Sequence, residues 1–150
     1  TKINYLCTMA ENDNPEIILQ QHNVKPTAVR LLVLRELEKI KYAFSLADVC
    51  DRLPTVDRST IFRTLTVFAD AHLLHTIVNG NGEHEYCLCH NSHTCRPDEL
   101  HCHFHCTRCG HTFCLTNVTI PSVALPLGYA VENAEYVMQG LCPRCRGIRE

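Results

Sequence analysis

The eleven residues from His101 to His111 constrain this chain most. Seven of them are His or Cys, the side chains that bind late transition metals best. The turn Cys106-Thr-Arg-Cys109 offers two thiols, and Cys142-Pro-Arg-Cys145 offers two more. Four thiolates favour Zn²⁺ and fill its tetrahedral shell, which leaves no open position for a substrate. The pattern therefore predicts a structural zinc site with the ligands Cys106, Cys109, Cys142 and Cys145.

Two unconnected thiol pairs, redox-active or buried, are the alternative. The chain of 150 residues has eleven Cys, an odd number, and a disulfide framework would not need the neighbouring His. Reduced, metal-binding thiols in a cytosolic protein explain this composition better. The segment Thr1 to Met9 lacks a secretion-signal pattern, and the apolar runs are too short to span a bilayer. We expect a cytoplasmic protein with no membrane partner.

The surplus His and Cys predict a second metal site. Side chains alternate along a strand, so His101 and His103 share one face, as do Cys87 and Cys89. His105 would join the first pair if its strand stays regular. We predict a second ion between two modules, with the ligands His75, Cys89, His101 and His103, and with Cys87 and Cys114 as alternates. The alternative is that these residues are packing or surface residues. We expect loop or surface positions for His90, His93, Cys95, Cys102 and His111.

Capping residues mark four helix starts in the N-terminal half, because Ser, Thr, Asp and Asn accept hydrogen bonds from free backbone N–H groups. Asn14 caps a predicted helix from Glu16 to about His22, and Thr27 caps one that runs to about Ile40. Ser45 begins a predicted helix from Leu46 to Leu53, and Asp57 or Ser59 caps one that runs to about His72. Two strands, Leu74–Val78 and Glu83–Cys89, then flank a turn at Asn79-Gly-Asn-Gly82. This order is typical of a winged helix-turn-helix.

The C-terminal part is predicted to be a smaller module that follows a linker. Residues 90–100 carry turn formers without periodicity. Prolines limit any helix between Ile120 and Leu127 to a short one. The predicted strands are His101 to Cys106, Thr112 to Leu115, Tyr129 to Val131 and Tyr136 to Met138.

The helix that follows Asp57 offers a DNA-binding face. Arg side chains read guanine or phosphate, and Ser and Thr hydroxyls bind phosphate or base edges. The candidates are Arg58, Ser59, Thr60, Phe62 and Arg63. An amphipathic surface helix is the alternative, and the net charge of −2 gives no global basic signature.

Four motifs occur in order along the chain: Thr27-Ala-Val-Arg30, Arg58-Ser-Thr-Ile-Phe-Arg63-Thr-Leu65, His101-Cys-His-Phe-His-Cys106-Thr-Arg-Cys109-Gly110 and Gly140-Leu-Cys142-Pro-Arg-Cys145. Together they resemble the motifs of the ferric uptake regulator family of metal-dependent bacterial repressors. The chain departs from the family pattern in a linker between Cys89 and His101 that is longer than usual, and at three further positions. Phe62 replaces a Tyr, Cys114 replaces a Glu, and the family's His before the third helix falls at Ala43 or Phe44.

The resemblance implies an α+β fold, with an N-terminal winged helix-turn-helix followed by a small α/β dimerisation domain that carries the four-cysteine zinc site. We expect a DNA-binding domain at residues 1–89, a hinge at 90–100, and a dimerisation and metal-binding domain at 101–150. The resemblance also implies a homodimer, a regulatory metal at the hinge, and further DNA contacts from Lys25, Thr27 and Arg30. Cys89 matches the family's zinc-sensing branch in its spacing from His75.

We therefore expect a non-enzymatic, zinc-responsive repressor of metal homeostasis genes that binds a palindromic operator in double-stranded DNA. Without metal the two modules are expected to swing freely, which lowers apparent affinity. Alternatives are an iron- or peroxide-sensing regulator, with Fe²⁺ or Mn²⁺ at the second site, and a zinc-stabilised protein-interaction module. A zinc deaminase is disfavoured because the sequence contains no His-x-Glu.

Overall fold

The fold combines five helices and five strands within the residues described. The computed structural model describes residues 14–79, 81–88, 102–115, 118, 120–131 and 134–148. In chain order the elements are α1 Pro15–Gln21, α2 Ala28–Leu37, α3 Leu46–Arg52, α4 Arg58–Asp70, β1 Leu74–Val78, β2 His84–Leu88, β3 Cys102–Cys106, β4 Thr112–Leu115, β5 Tyr136–Gly140 and α5 Pro143–Arg146.

Side-chain caps begin the first four helices, as the sequence predicts. The Asn14 amide oxygen accepts from the Glu16 N–H, and the Thr27 hydroxyl accepts from the Arg30 N–H. Ser45 forms a reciprocal capping box at α3, and the Asp57 carboxylate caps α4. Helix α2 ends earlier than predicted, at Leu37.

One apolar core joins the helices to the first hairpin. The α4 side chains Ile61, Leu65 and Phe68 are fully buried in it. Strand β1 follows α4 after a short turn and pairs antiparallel with β2, with Thr76 opposite Tyr86. The core therefore fixes the hairpin, and with it His75, against the helical layer.

A second sheet has the order β4-β3-β5. Strand β4 is antiparallel to β3, with His103 opposite Cys114, and β5 is parallel to β3. The predicted strand from Tyr129 to Val131 was wrong, because that segment is exposed and irregular. No helix forms in the described residues from 120 to 127, where Pro121 and Pro126 remove N–H donors.

The segment from Tyr42 to Phe44 lies between the two sheets. The Phe44 N–H and carbonyl bond the Tyr86 carbonyl and N–H, at 2.8 and 2.7 Å. One residue earlier, the Ala43 N–H donates to the Thr112 carbonyl at 2.7 Å. The helical half and the second sheet therefore contact each other directly. None of the helices described here is both long enough and apolar enough to traverse a bilayer.

Candidate metal centres

Four cysteine thiols converge in the C-terminal sheet. The Sγ atoms of Cys106, Cys109, Cys142 and Cys145 all lie within 4.8 Å of one another. The Sγ atoms of Cys109 and Cys142 are 4.0 Å apart. A tetrahedral zinc with Zn–S bonds of about 2.3 Å separates its sulfurs by about 3.8 Å. The donor set and its spacing therefore fit one tetrahedral Zn²⁺.

The parallel pairing of β3 with β5 brings the two thiol pairs together. Cys106 is the last residue of β3 and lies opposite Gly140, the last residue of β5. After the first pair, Gly110 has φ +75°, a left-handed conformation that favours glycine, and its N–H donates to the Cys106 carbonyl. The second pair is held by α5, a short helix that sequence reasoning missed, for which Cys142 is the N-cap.

Backbone amides and crowding give these thiols different proton affinities. The Cys142 N–H donates to the Cys106 sulfur at 3.3 Å, and this bond together with the N–H of Cys109 lowers the pKa of Cys106 to about 5. Burial, followed by the neighbouring thiols, raises the pKa of Cys145 to about 12. The Cys106 thiolate is thus available at neutral pH, and a cation is needed to ionise Cys109 and Cys145, whose pKa values are raised.

A second cluster spans the two sheets. The Nε2 atoms of His75 and His103 are 3.2 Å apart, and the ligand atoms of both lie within 4.8 Å of the Cys114 thiol. His103 and Cys114 are buried, and His75 is half-buried. Zn–N bonds of about 2.0–2.1 Å separate the nitrogens of a tetrahedral site by about 3.3 Å. Two imidazoles and a thiolate therefore fit three positions of a tetrahedral ion.

Strand pairing explains the membership of this cluster. His103 and Cys114 are direct partners in the β3–β4 ladder and point to one face. His75 approaches that face from β1. Cys87 is the ladder partner of His75 and is buried, but it does not belong to the three-residue cluster. Cys114, expected as an alternate, is thus brought beside two predicted ligands.

The remaining His and Cys have different environments. The predicted ligands Cys89 and His101 lie outside the described residues, as do His90, His93 and Cys95. His105 is buried, and its Nδ1 lies 3.1 Å from the Thr112 hydroxyl. Cys102, which was expected at the surface, is buried, and this burial raises its pKa. His111 stacks on Tyr42.

Helix α4 exposes a mixed basic and aromatic face. Arg58, Ser59 and Arg63 are exposed, and the Phe62 side chain is 50% exposed. The Asp57 carboxylate accepts from the Ser59 hydroxyl and from the N–H groups of Ser59 and Thr60, bonds that lower the pKa of Asp57. A carboxylate cap whose charged form is favoured by these bonds therefore fixes the first turn of this face.

The first predicted DNA motif is also held by local bonds. The Arg30 guanidinium donates to the Lys25 carbonyl at 2.8 Å, and Thr27 caps α2. These bonds fix the turn that leads into α2. The Lys25 side chain remains exposed.

Comparison with known proteins adds three observations. The family model described as the ferric uptake regulator family matches residues 21–126. The zinc uptake regulation protein of Escherichia coli strain K12 is 30% identical over 138 residues, which cover 87% of this chain and 78% of that protein. The structure of a zinc uptake regulator complexed with zinc and DNA has a TM-score of 0.62 at 24% identity and covers 89% of this chain and 91% of that one.

A fourth similarity concerns the fold alone. The structure of the Vibrio cholerae ferric uptake regulator has a TM-score of 0.57 at 19% identity. The match covers 87% of this chain and 100% of that chain. The shared architecture extends over more than four fifths of either chain.

Proposed function

Because the chain belongs to the ferric uptake regulator family, we propose that it is a zinc-responsive transcriptional repressor that binds double-stranded DNA. The observation that carries this proposal is the convergence of His75, His103 and Cys114 between the two sheets. An ion held there joins the hairpin beside the DNA-binding helices to the C-terminal sheet.

Donor chemistry favours zinc over iron or manganese. Thiolate and imidazole ligands suit Zn²⁺, whereas Mn²⁺ prefers oxygen donors. Cys114 contributes a thiolate where the family pattern has a Glu. The regulatory site of this chain therefore has a softer donor, in the sense of hard and soft ligands, than a site with a carboxylate. The similarity to the Escherichia coli zinc uptake regulation protein supports the same choice. An iron- or peroxide-sensing regulator of the same family is the alternative.

The two metal centres serve different purposes in this proposal. The four-cysteine centre is a closed structural zinc that holds β3, β5 and α5 together. The centre at His75, His103 and Cys114 is the regulatory one, and Cys89 or His101 completes its fourth position from outside the described residues. Reduced thiols in both centres suit the cytoplasm.

The DNA-binding module comprises residues 1–89, arranged as a winged helix-turn-helix. Helices α3 and α4 form the helical pair, and the β1–β2 hairpin forms the wing. The exposed face of α4 enters the major groove. The proposed DNA contacts are Lys25, Thr27, Arg30, Arg58, Ser59, Thr60, Phe62 and Arg63.

The C-terminal module at residues 101–150, which follows a hinge at 90–100, forms a homodimer. The segment 123–131 supports this assignment, because its apolar side chains alternate along the chain and are exposed. Val123 and Val131 are each 62% exposed, and Leu127 and Tyr129 are 104% and 72% exposed. A second copy of the chain covers this surface. Two-fold symmetry then predicts a palindromic operator.

Zinc acts by selecting one orientation of the two modules. With the ion bound, β1 is fixed relative to β3 and β4, so the two α4 helices of a dimer keep one separation. Only that separation matches successive major grooves. Zinc binds this arrangement more tightly than others and so shifts the population towards it.

The test is zinc-dependent DNA binding by variants of the full chain. His103→Ala is expected to lose the zinc response of binding to a promoter fragment while retaining the structural zinc. His84→Ala, which removes an exposed imidazole from β2, is the matched control and is expected to behave as the parent chain. An unchanged zinc response in His103→Ala contradicts the regulatory site. Absence of DNA protection in the parent chain favours a protein-interaction module instead.

A further inference from the structure

The Tyr42–Phe44 segment contacts both hairpins through residues that belong to neither cluster of metal-binding side chains. The Tyr42 ring stacks on the His111 imidazole, with centroids 3.7 Å apart and planes inclined by 15°. The Ala43 N–H donates to the Thr112 carbonyl, and Phe44 pairs with Tyr86 of β2. The first two residues of the segment thus contact the β3–β4 hairpin, and the third pairs with the β1–β2 hairpin.

Both ends of these contacts are firmly held. Phe44 is 1% exposed and packs in the helical core, and Thr112 is 0% exposed in β4. The Thr112 hydroxyl also bonds His105. Breaking the Ala43 bond without an alternative partner would leave buried backbone groups unpaired, which is unfavourable.

The same contacts lead to the structural zinc site. The His111 carbonyl accepts from the N–H of Cys106 at 2.9 Å. The imidazole that stacks on Tyr42 therefore belongs to the loop that closes the first thiol pair. Two residues beyond Thr112, on the same face of β4, lies Cys114 of the regulatory cluster.

We propose that Tyr42–Phe44 is a strap that keeps the two modules docked whether or not the regulatory site is filled. The proposal rests on the proposed function above. It replaces the expected free swing of the modules with a smaller adjustment. The strap provides a fixed pivot, supported by the structural zinc loop, and the regulatory ion tightens the gap between His75 and β4 about that pivot.

The strap lies where this chain departs from the family pattern. The His that precedes the third helix in that pattern falls at Ala43 or Phe44 here. A hydrogen bond and a ring stack connect the modules at that position.

Hydrogen exchange at the Ala43 amide tests the strap without reference to DNA. The full chain is compared with its structural zinc retained, first after mild chelation and then with zinc restored. Ala43 is expected to be protected in both states. The Phe44 amide, bonded within the N-terminal module, is the internal control for folding. Protection of Ala43 that appears only with added zinc, or in neither state, overturns the proposal.

A variant pair extends the test to the ring stack. Tyr42→Ala is expected to speed exchange at Ala43 by roughly three- to tenfold, the range typical of an aromatic pair, without changing Phe44. Tyr42→Phe keeps the stack and is expected to match the parent chain. Equal Ala43 exchange in both variants overturns the role of the stack. If the parent chain shows no zinc-dependent DNA binding, the proposed function is refuted. The hydrogen exchange rate of the Ala43 amide still tests the strap, because it does not involve DNA.

Discussion

His75 and His103 belong to different sheets, yet their Nε2 atoms lie 3.2 Å apart. Imidazoles meet at this separation either through one shared hydrogen bond or as two ligands of one ion. Cys114 beside them favours the ion, because its thiol completes a donor set that late transition metals prefer. The distance between these nitrogens is therefore the distance that zinc would control.

Cys114→Ser should weaken the regulatory site selectively. A hydroxyl is a poorer zinc ligand than a thiolate, so zinc affinity at this site should fall by at least about tenfold, or about 1.4 kcal/mol. Competition with a chromogenic chelator measures this affinity. Cys50→Ser, which changes a thiol on α3 that belongs to neither cluster, should leave it unchanged. Equal effects of the two substitutions would contradict the assignment of Cys114.

The protons released when zinc binds should reflect the different pKa values of the thiols in the four-cysteine centre. The pKa of Cys109 and of Cys145 are raised, so both must lose protons when zinc binds at neutral pH. Zinc affinity therefore falls as pH falls. With its pKa of about 5, Cys106 is already ionised and contributes to this dependence only near that pH.

Of the four thiols, one is ionised beforehand, so zinc should displace at least two and at most three protons at pH 7. An indicator dye in weak buffer measures the release. His75→Ala, which removes a ligand of the regulatory site, isolates the contribution of the four-cysteine centre. Release of four protons would show that the amides around Cys106 do not stabilise its thiolate.

Arg63→Gln should weaken DNA binding without altering zinc binding. The guanidinium lies on the exposed face of α4, and loss of a base or phosphate contact costs about 1–3 kcal/mol. If the contact is to phosphate, the slope of log binding constant against log salt concentration should also become shallower by about one, because one fewer counterion is released. Arg35→Gln on α2 is the control of equal charge change. Equal weakening by both would indicate a general charge effect.

Leu127→Asp should weaken the homodimer. Leu127 is 104% exposed in the single chain, and a charge placed within an apolar interface is strongly unfavourable. Sedimentation should show a shift towards monomer. Ile17→Asp places the same charge on α1, where Ile17 is 51% exposed, and should leave the association unchanged. A dimer equally stable in both variants would exclude segment 123–131 from the interface.

Local chemistry made much of the fold predictable from the sequence. Asn14, Thr27, Ser45 and Asp57 cap helices where their side chains predicted, and β4 has the predicted limits, Thr112–Leu115. Each of these features depends on residues close together in the chain. Interactions of that kind are visible without knowledge of the tertiary structure.

Features that depend on distant partners were harder to predict. The alternation from Tyr129 to Val131 is a strand pattern, but a pattern does not reveal whether a pairing strand exists in the same chain. Cys114 lies beside His103 because the two residues are partners in the β3–β4 register. A slip of one residue would turn the Cys114 side chain to the other face of the sheet. Tyr42 escaped notice because nothing in its neighbourhood indicates a stacking partner as remote as His111.

The parallel pairing of β3 with β5 orders events during synthesis of the protein. The β3–β4 hairpin is local and can form as soon as both strands have emerged, whereas β5 begins 30 residues after Cys106 and the second thiol pair follows it. Non-local parallel pairing is slow because a long loop must close first. A nascent chain therefore presents Cys106 and Cys109 as half a site, and capture of zinc becomes the step that commits the C-terminal module to its fold.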